Sequence, residues 1–197
     1  FDVWRKNMKI KRKAAIMTLV LALTFLLFAG IASAQETNEA SEEHVPLVIL
    51  GCALAITIAG ISAATGLAFS GSSAVAVTAE KPDLFGKLLV LQVLPMTQAV
   101  YGLLTAILLM MGVGLLGGTP KATMLQGMGA IWIGLIVGLT GISAINQGMV
   151  ASSSISAVAR NPDVAARGII FTVMTETIAI FGLLAGILLM TGLGLLG

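Results

Sequence analysis

Beyond Glu43 the chain carries formal charge only at Glu80, Lys81, Asp83, Lys87, Lys121, Arg160, Asp163, Arg167 and Glu176. The uncharged stretches between these positions are long enough for the ~20 residues of helix that cross a bilayer. With 57% hydrophobic and 10% charged residues and a mean hydropathy of +1.03, the composition lies outside the soluble globular range. The chain is therefore expected to be an all-α integral membrane protein.

One acid interrupts this pattern. Glu176 is the sole acidic residue between Asp163 and the C-terminus, set in the apolar run Gly168–Gly197. A charged carboxylate there costs ~3 kcal/mol on insertion scales, so a proton, a partner or a bound cation must neutralise it. That makes Glu176 the leading candidate for the functional centre. The single cysteine, Cys52, excludes an internal disulfide and a cysteine-based metal cage, and reads as a small packing residue.

Lys9, Lys11, Arg12 and Lys13 precede the apolar run Ala14–Gly30 and the triplet Ala32-Ser33-Ala34. This is the layout of a secretory signal peptide over residues 8–34, with cleavage expected after Ala34; the alternative is a retained fifth helix. Residues 1–7 precede a plausible initiator, Met8, and read as upstream sequence. Without residues 1–34, Lys81, Lys87, Lys121, Arg160 and Arg167 face Glu36, Glu39, Glu42, Glu43, Glu80, Asp83, Asp163 and Glu176, five basic against eight acidic residues and a net of −3. The basic pI of 8.9 thus belongs to the leader and gives no support for nucleic-acid binding. Residues 35–46 read as a polar tail, with His44 solvated rather than a metal ligand.

Two segments repeat at an offset of 80 residues. Ala79-Glu80-Lys81-Pro82-Asp83 matches Ala159-Arg160-Asn161-Pro162-Asp163, and the run Tyr101–Met110 matches Phe181–Met190. Upstream, Gly60-Ile61-Ser62-Ala63 matches Gly141-Ile142-Ser143-Ala144 at an offset of 81. This is a tandem duplication of a helical hairpin: residues 47–117, a linker at 118–122, and residues 123–197. Each hairpin turns at a Pro-Asp loop, where proline ends one helix and the acid can cap the next. Four spanning helices are expected at about 47–79, 84–117, 123–159 and 164–196. The basic residues concentrate at the two hairpin loops, which places those loops in the cytoplasm and the mature termini outside. Helices 1 and 3 hold the small residues Gly51, Ala55, Ala59, Ala63, Gly66, Gly127, Gly134, Gly138, Gly141 and Gly148, which let backbones approach closely. Helices 2 and 4 are richer in Leu, Ile and Met. Such a split suits a ring of hairpins with thin helices inside, and equally an ordinary four-helix bundle.

On the second helix Leu94, Thr97, Gln98 and Tyr101 fall at i, i+3, i+4 and i+7 and share one face. Pro95 lacks an N–H and disfavours regular helix at Leu94, which leaves carbonyl oxygen free in the membrane. Gln98 lies 11 residues beyond Lys87, Glu176 nine beyond Arg167 and Gln147 13 before Arg160, depths of ~17, ~14 and ~20 Å at 1.5 Å per residue. One carboxylate, two amides, a hydroxyl and a carbonyl in one layer form an all-oxygen set suited to a hard cation. The same amides and hydroxyl also serve as hydrogen-bonding glue in membrane bundles, and at this point both readings stand.

The duplicated hairpin, the loops Glu80-Lys81-Pro82-Asp83 and Arg160-Asn161-Pro162-Asp163, and the runs Leu94–Gly102 and Glu176–Gly182 resemble the proteolipid of rotary ATPases. The likeness is to the V/A-type c (K) subunit and covers about residues 47–197. It implies a ring of such proteolipids turning in the lipid of a prokaryotic plasma membrane against a stator a/I subunit. Central-stalk subunits would dock at the cytoplasmic loops, Lys81, Pro82, Asp83, Arg160, Asn161, Pro162 and Asp163. The sodium-carrying branch implies Na+ held by Leu94, Thr97, Gln98, Gln147 and Glu176, with Tyr101 steadying the glutamate; a proton is the alternative coupling ion. ATP chemistry would belong to partner subunits, and similar proteolipids occur in F-type sodium synthases.

In one respect the pattern departs from some relatives, because the repeat sets Met96 opposite Glu176. The chain is expected to carry one ion per four helices, which lowers the ion-to-ATP ratio. A small multidrug exporter would also place a glutamate among four helices. Its substrate wall should be rich in Trp and Tyr, however, and the predicted helices hold only Trp132 and Tyr101. A purely structural bundle leaves Glu176 unexplained. For the leader, intact-mass analysis should find the mature chain beginning at or near Gln35; residues 8–34 still attached would contradict cleavage.

Overall fold

A computed structural model describes residues 39–196. The leader, the upstream residues and the first part of the tail, 1–38, lie outside the described residues. Four helical spans long and apolar enough to cross a membrane run Glu42–Glu80, Pro82–Gly112, Met124–Arg160 and Pro162–Gly192. The first contains one unbroken helix, α1 (Val45–Glu80). The second divides into α2 (Phe85–Val93) and α3 (Thr97–Gly112) around a 3-10 turn at Leu94–Met96, where Pro95 withholds the N–H that regular helix needs. The third divides into α4 (Met124–Thr140) and α5 (Ser143–Arg160), the fourth into α6 (Ala165–Met174) and α7 (Thr177–Gly192).

Both hairpins turn through a short 3-10 segment that begins on proline, Pro82–Leu84 and Pro162–Val164. The expected aspartate caps do not form. In the second loop the Asn161 side chain accepts from the Asp163 N–H at 3.0 Å, while the first loop has no side-chain cap. Lysine side chains knit the two loops together instead: Lys81 Nζ donates to the Ala159 carbonyl at 2.6 Å and Lys87 Nζ to the Pro162 carbonyl at 3.3 Å. A cation at the last carbonyls of α5 also complements the negative end of its dipole.

The second and fourth spans stop at Gly112 and Gly192, short of the expected 117 and 196. Gly114 and Gly194 take left-handed φ of 75° and 66°. Gly114 N–H bonds Met111 O and Leu115 N–H bonds Met110 O, as Gly194 and Leu195 do with Thr191 and Met190. Paired reverse bonds over a left-handed glycine satisfy the last carbonyls and end the helix. Thr123 and Gln126 open α4 with a reciprocal capping box. Gln126 Nε2 also donates to Leu193 O at 3.1 Å, tying the third span to the end of the fourth. The described end of the tail is less solvated than expected at Ser41 and His44. Ser41 pairs with Ala122 in an antiparallel bridge, and His44 is half-buried at the head of α1, where its carbonyl abuts Gly127.

Spans one and three form the packed centre. Backbone meets backbone there: a Cβ on Gly148 would lie 2.2 Å from Gly66 O, and one on Gly134 2.1 Å from Gly51 O. Cys52 is a buried free thiol donating to the Ala106 carbonyl at 3.5 Å, a packing residue as expected. The second and fourth spans flank this pair and expose Val90, Val100, Leu103, Ile170, Phe171, Ile178, Phe181, Leu184 and Leu188, a surface matched to acyl chains. Gly148→Ala should destabilise the detergent-solubilised protein by about 1–3 kcal/mol, because overpacked backbone must separate. Gly86→Ala, where a Cβ meets nothing within 4 Å, should leave the thermal transition unchanged or raised.

Candidate functional site

Glu176 lies at the break between α6 and α7, where its N–H bonds Val173 O at 2.9 Å in a 3-10 pattern. The residue is only 7% exposed. Two donors reach its carboxylate from different spans: Tyr101 Oη donates to Oε1 at 2.6 Å, and Gln147 Nε2 to Oε2 at 3.3 Å. Gln98 Nε2 in turn donates to Gln147 Oε1 at 2.7 Å, and both glutamines are fully buried. Thr97 Oγ1 lies 3.0 Å from Leu94 O and 3.2 Å from Gln98 Oε1, so its one proton can serve either acceptor. Thr97, Gln98, Gln147, Glu176 and Tyr101 thus form a chain in which each lies within hydrogen-bonding distance of the next, with the Thr97 proton serving either Gln98 or the Leu94 carbonyl.

The polarity of this network is informative. Both carboxylate oxygens lie within hydrogen-bonding distance of a donor group, Tyr101 Oη and Gln147 Nε2. The amide oxygens of Gln98 and Gln147 each hold one hydrogen bond and keep a second lone pair, so they can face a cation without giving up the network. Oxygens of Glu176, Gln98, Gln147, Thr97 and Leu94 together match the donor preference of a hard cation. Among the described residues there is no group of three or more His, Cys, Asp or Glu able to hold a metal ion in another way.

Pro95 is buried at the 3-10 turn below this face, and Met96 is 45% exposed, turned away from it. The loop residues Lys81, Pro82, Asp83, Arg160, Asn161, Pro162 and Asp163 stand apart, beyond α1, α2, α5 and α6 at the hairpin turns. Two features escaped the sequence reading. The helix breaks at Thr175 and Glu176 although no proline is present there; the 80-residue repeat, which sets Thr175 opposite Pro95, was the available signal. Ser143, one turn before Gln147, holds a buried Oγ with no hydrogen-bond partner. No spacing marks it out.

The family model for the ATP synthase C subunit matches residues 50–109 and 131–189, one match per hairpin. The chain is 44% identical over 145 residues to the A-type ATP synthase K subunit of Methanocaldococcus jannaschii, covering 74% of this chain and 63% of that protein. It is 37% identical to the V-type sodium ATPase K subunit of Enterococcus hirae, over 72% of this chain and 88% of the relative. It is 31% identical to the 16 kDa proteolipid of the V-type proton ATPase of Nephrops norvegicus, over 77% and 97%. This chain thus spans less than two thirds of the archaeal relative's length and nearly the whole of the other two.

Gln147→Leu should strip a partner from both Gln98 and Glu176 and cost about 1–3 kcal/mol per orphaned buried group. Met96→Leu touches neither. Thermal unfolding in detergent, without added ions, should therefore separate the two variants clearly.

Proposed function

The chain belongs to the family of ATP synthase C subunits as a duplicated V/A-type proteolipid, and we propose that it is the rotor-ring component of a sodium-translocating rotary ATPase. On this reading Glu176 carries Na+ as cargo, and ATP is handled by partner subunits. The observation that carries the proposal is the network around Glu176. A proton needs only a carboxylate, whereas here five oxygen-bearing residues on three spans are linked by a chain of hydrogen-bonding contacts, which supports a site for a hard cation.

The steps follow from these residues. Glu176 attracts the cation by charge, and Gln98, Gln147, Thr97 and the Leu94 carbonyl replace its hydration shell. Tyr101 stays on Oε1 and fixes the carboxylate's rotamer, while Oε2, which accepts only a long 3.3 Å bond from Gln147, keeps lone-pair capacity for the ion. The carboxylate would load and release one ion per passage against the stator. The ring, the stator and the central stalk at the Pro-Asp loops are parts of this proposal. So is the orientation with those loops in the cytoplasm, which the bias of Lys and Arg toward them supports.

Dicyclohexylcarbodiimide, which reacts with a protonated carboxyl in an apolar setting, should modify Glu176, and sodium should slow the reaction by holding the group ionised and coordinated. Gln98→Leu and Gln147→Leu should each weaken that protection more than tenfold if each ligand contributes over ~1.4 kcal/mol; Met96→Leu should not. Labelling indifferent to sodium across pH would point to the proton instead.

A further inference from the structure

Ser143 opens α5 with a hydroxyl oxygen that is buried and bonds nothing. Inside a membrane span such an atom needs a reason, because a polar group removed from water without a partner costs free energy. Other hydroxyls of these spans close on the carbonyl four residues before them, as Thr57, Ser62, Thr65, Thr140 and Thr172 do. Ser143 makes no such bond. Just ahead of it the backbone tightens at Gly141–Ile142, with Ile142 N–H on Leu139 O at 3.2 Å and Ala144 N–H on Gly141 O at 3.0 Å. The Leu139 carbonyl, four residues before Ser143, is engaged by that turn.

Packing of the third span on the fourth brings this hydroxyl within one turn of the carboxylate. A Cβ on Gly182 would run into Thr140 Oγ1, and one on Gly168 would lie 2.9 Å from Ser154 Cβ. These contacts set a single antiparallel register between the two spans. In that register Gln147 is level with Thr175, and Ser143 with the buried Ala179, one turn from Glu176. Ser143, Gln147 and Ser154 also share a helical face, at i, i+4 and i+11. Gln147 and Ser154 both turn toward the fourth span, the first to Glu176 Oε2 and the second to Gly168 O at 3.4 Å. Ser143 therefore faces it too. Glu176, Gln98, Gln147, Thr97 and Leu94 offer five oxygens, whereas hard cations take roughly six or more in proteins. A side chain as short as serine's, one turn away, reaches the ion through a water. The hydroxyl, the carboxylate and the cation together supply the roughly three partners that a buried water has.

We infer that Ser143 is a positioning residue for the coupling ion: its Oγ holds a water that lies against the cation at Glu176 and fills the side of the shell that the five protein oxygens leave open. The hydroxyl stays unpaired within the fold because its partner arrives with the ion. This inference rests on the sodium reading above and adds to it a group that acts through water.

The test compares full-length parent, Ser143→Ala and Ser143→Thr in detergent by two measurements, thermal unfolding without added ions and sodium protection of Glu176 from dicyclohexylcarbodiimide. Without ions Ser143→Ala should unfold at the parent's temperature or above it, since no hydrogen bond is lost, a desolvated hydroxyl is removed and alanine favours helix. A merely structural serine would show the reverse. With sodium, Ser143→Ala should need about three- to tenfold more of the ion for half-protection, the scale of one water-mediated hydrogen bond. Ser143→Thr keeps the hydroxyl and should be protected as the parent is. Protection of Ser143→Ala at the parent's sodium concentration would overturn the inference and leave the sodium site standing, as would a threonine variant as weak as the alanine one. Ion-free Ser143→Ala that unfolds earlier or fails to fold would reveal a partner within the protein and overturn it equally. A parent that sodium does not protect would overturn the sodium reading and this inference together.

Discussion

Glu176 can be held at its depth only by groups that its own hairpin lacks or places on another span. Its two donors come from the second and third spans, Tyr101 and Gln147, and hydrogen bonds of this kind weaken within a few tenths of an ångström of misplacement. The relative height of the two hairpins is therefore the quantity the fold must fix. Gly148 fixes it, because it follows Gln147 directly and lies against Gly66 with no room for a methyl group. The lysine bonds at the loops and the Gln126 bond to Leu193 hold the two ends of the same stack. Packing along the whole length of the molecule thus converges on the position of one amide nitrogen.

The interruptions in the helices have the same centre. Three spans lose regular helix in their middle thirds, at Leu94–Met96, Gly141–Ile142 and Thr175–Glu176, while the first span runs unbroken. Non-helical backbone at membrane depth is tolerated where protein surrounds it. The unbroken α1 provides that surround: it packs along α3, α4 and α5 and makes the closest backbone approaches in the fold. One unbroken helix supports its two neighbours, the second and third spans, where they bend beside the carboxylate.

Much of this was legible in the sequence, and for stated reasons. Four spans follow from the spacing of charge, and the hairpin turns from two prolines set 80 residues apart. Glu176 is marked by its cost, and the Leu94–Tyr101 face by helical periodicity. The misses are places where a signal depended on tertiary context or on a single torsion. Gly114 and Gly194 end their helices by adopting positive φ, which the many other glycines of these spans do not. Asp83 and Asp163 have the residue type of a cap but not its geometry. The tail looked solvated by composition, yet two backbone hydrogen bonds between Ser41 and Ala122, distant in sequence, order its last residues.

Gly66 also bears on the history of the chain. In the repeat it corresponds to Gln147, as Ile178 corresponds to Gln98 and Phe181 to Tyr101. A side chain at position 66 would run into the Ala144 carbonyl, 2.2 Å from where its Cβ would stand. Returning an acid to position 96 would consequently produce a carboxylate facing lipid, with no amide or phenol to receive it. Placing a glutamine at position 66, a step that a second site needs, would open the central contact on which the first site depends. After duplication a single site is divided between the copies, Gln147 and Glu176 standing on the second and Leu94, Thr97, Gln98 and Tyr101 on the first, and the counterpart position of Gln147 is taken up by the central contact.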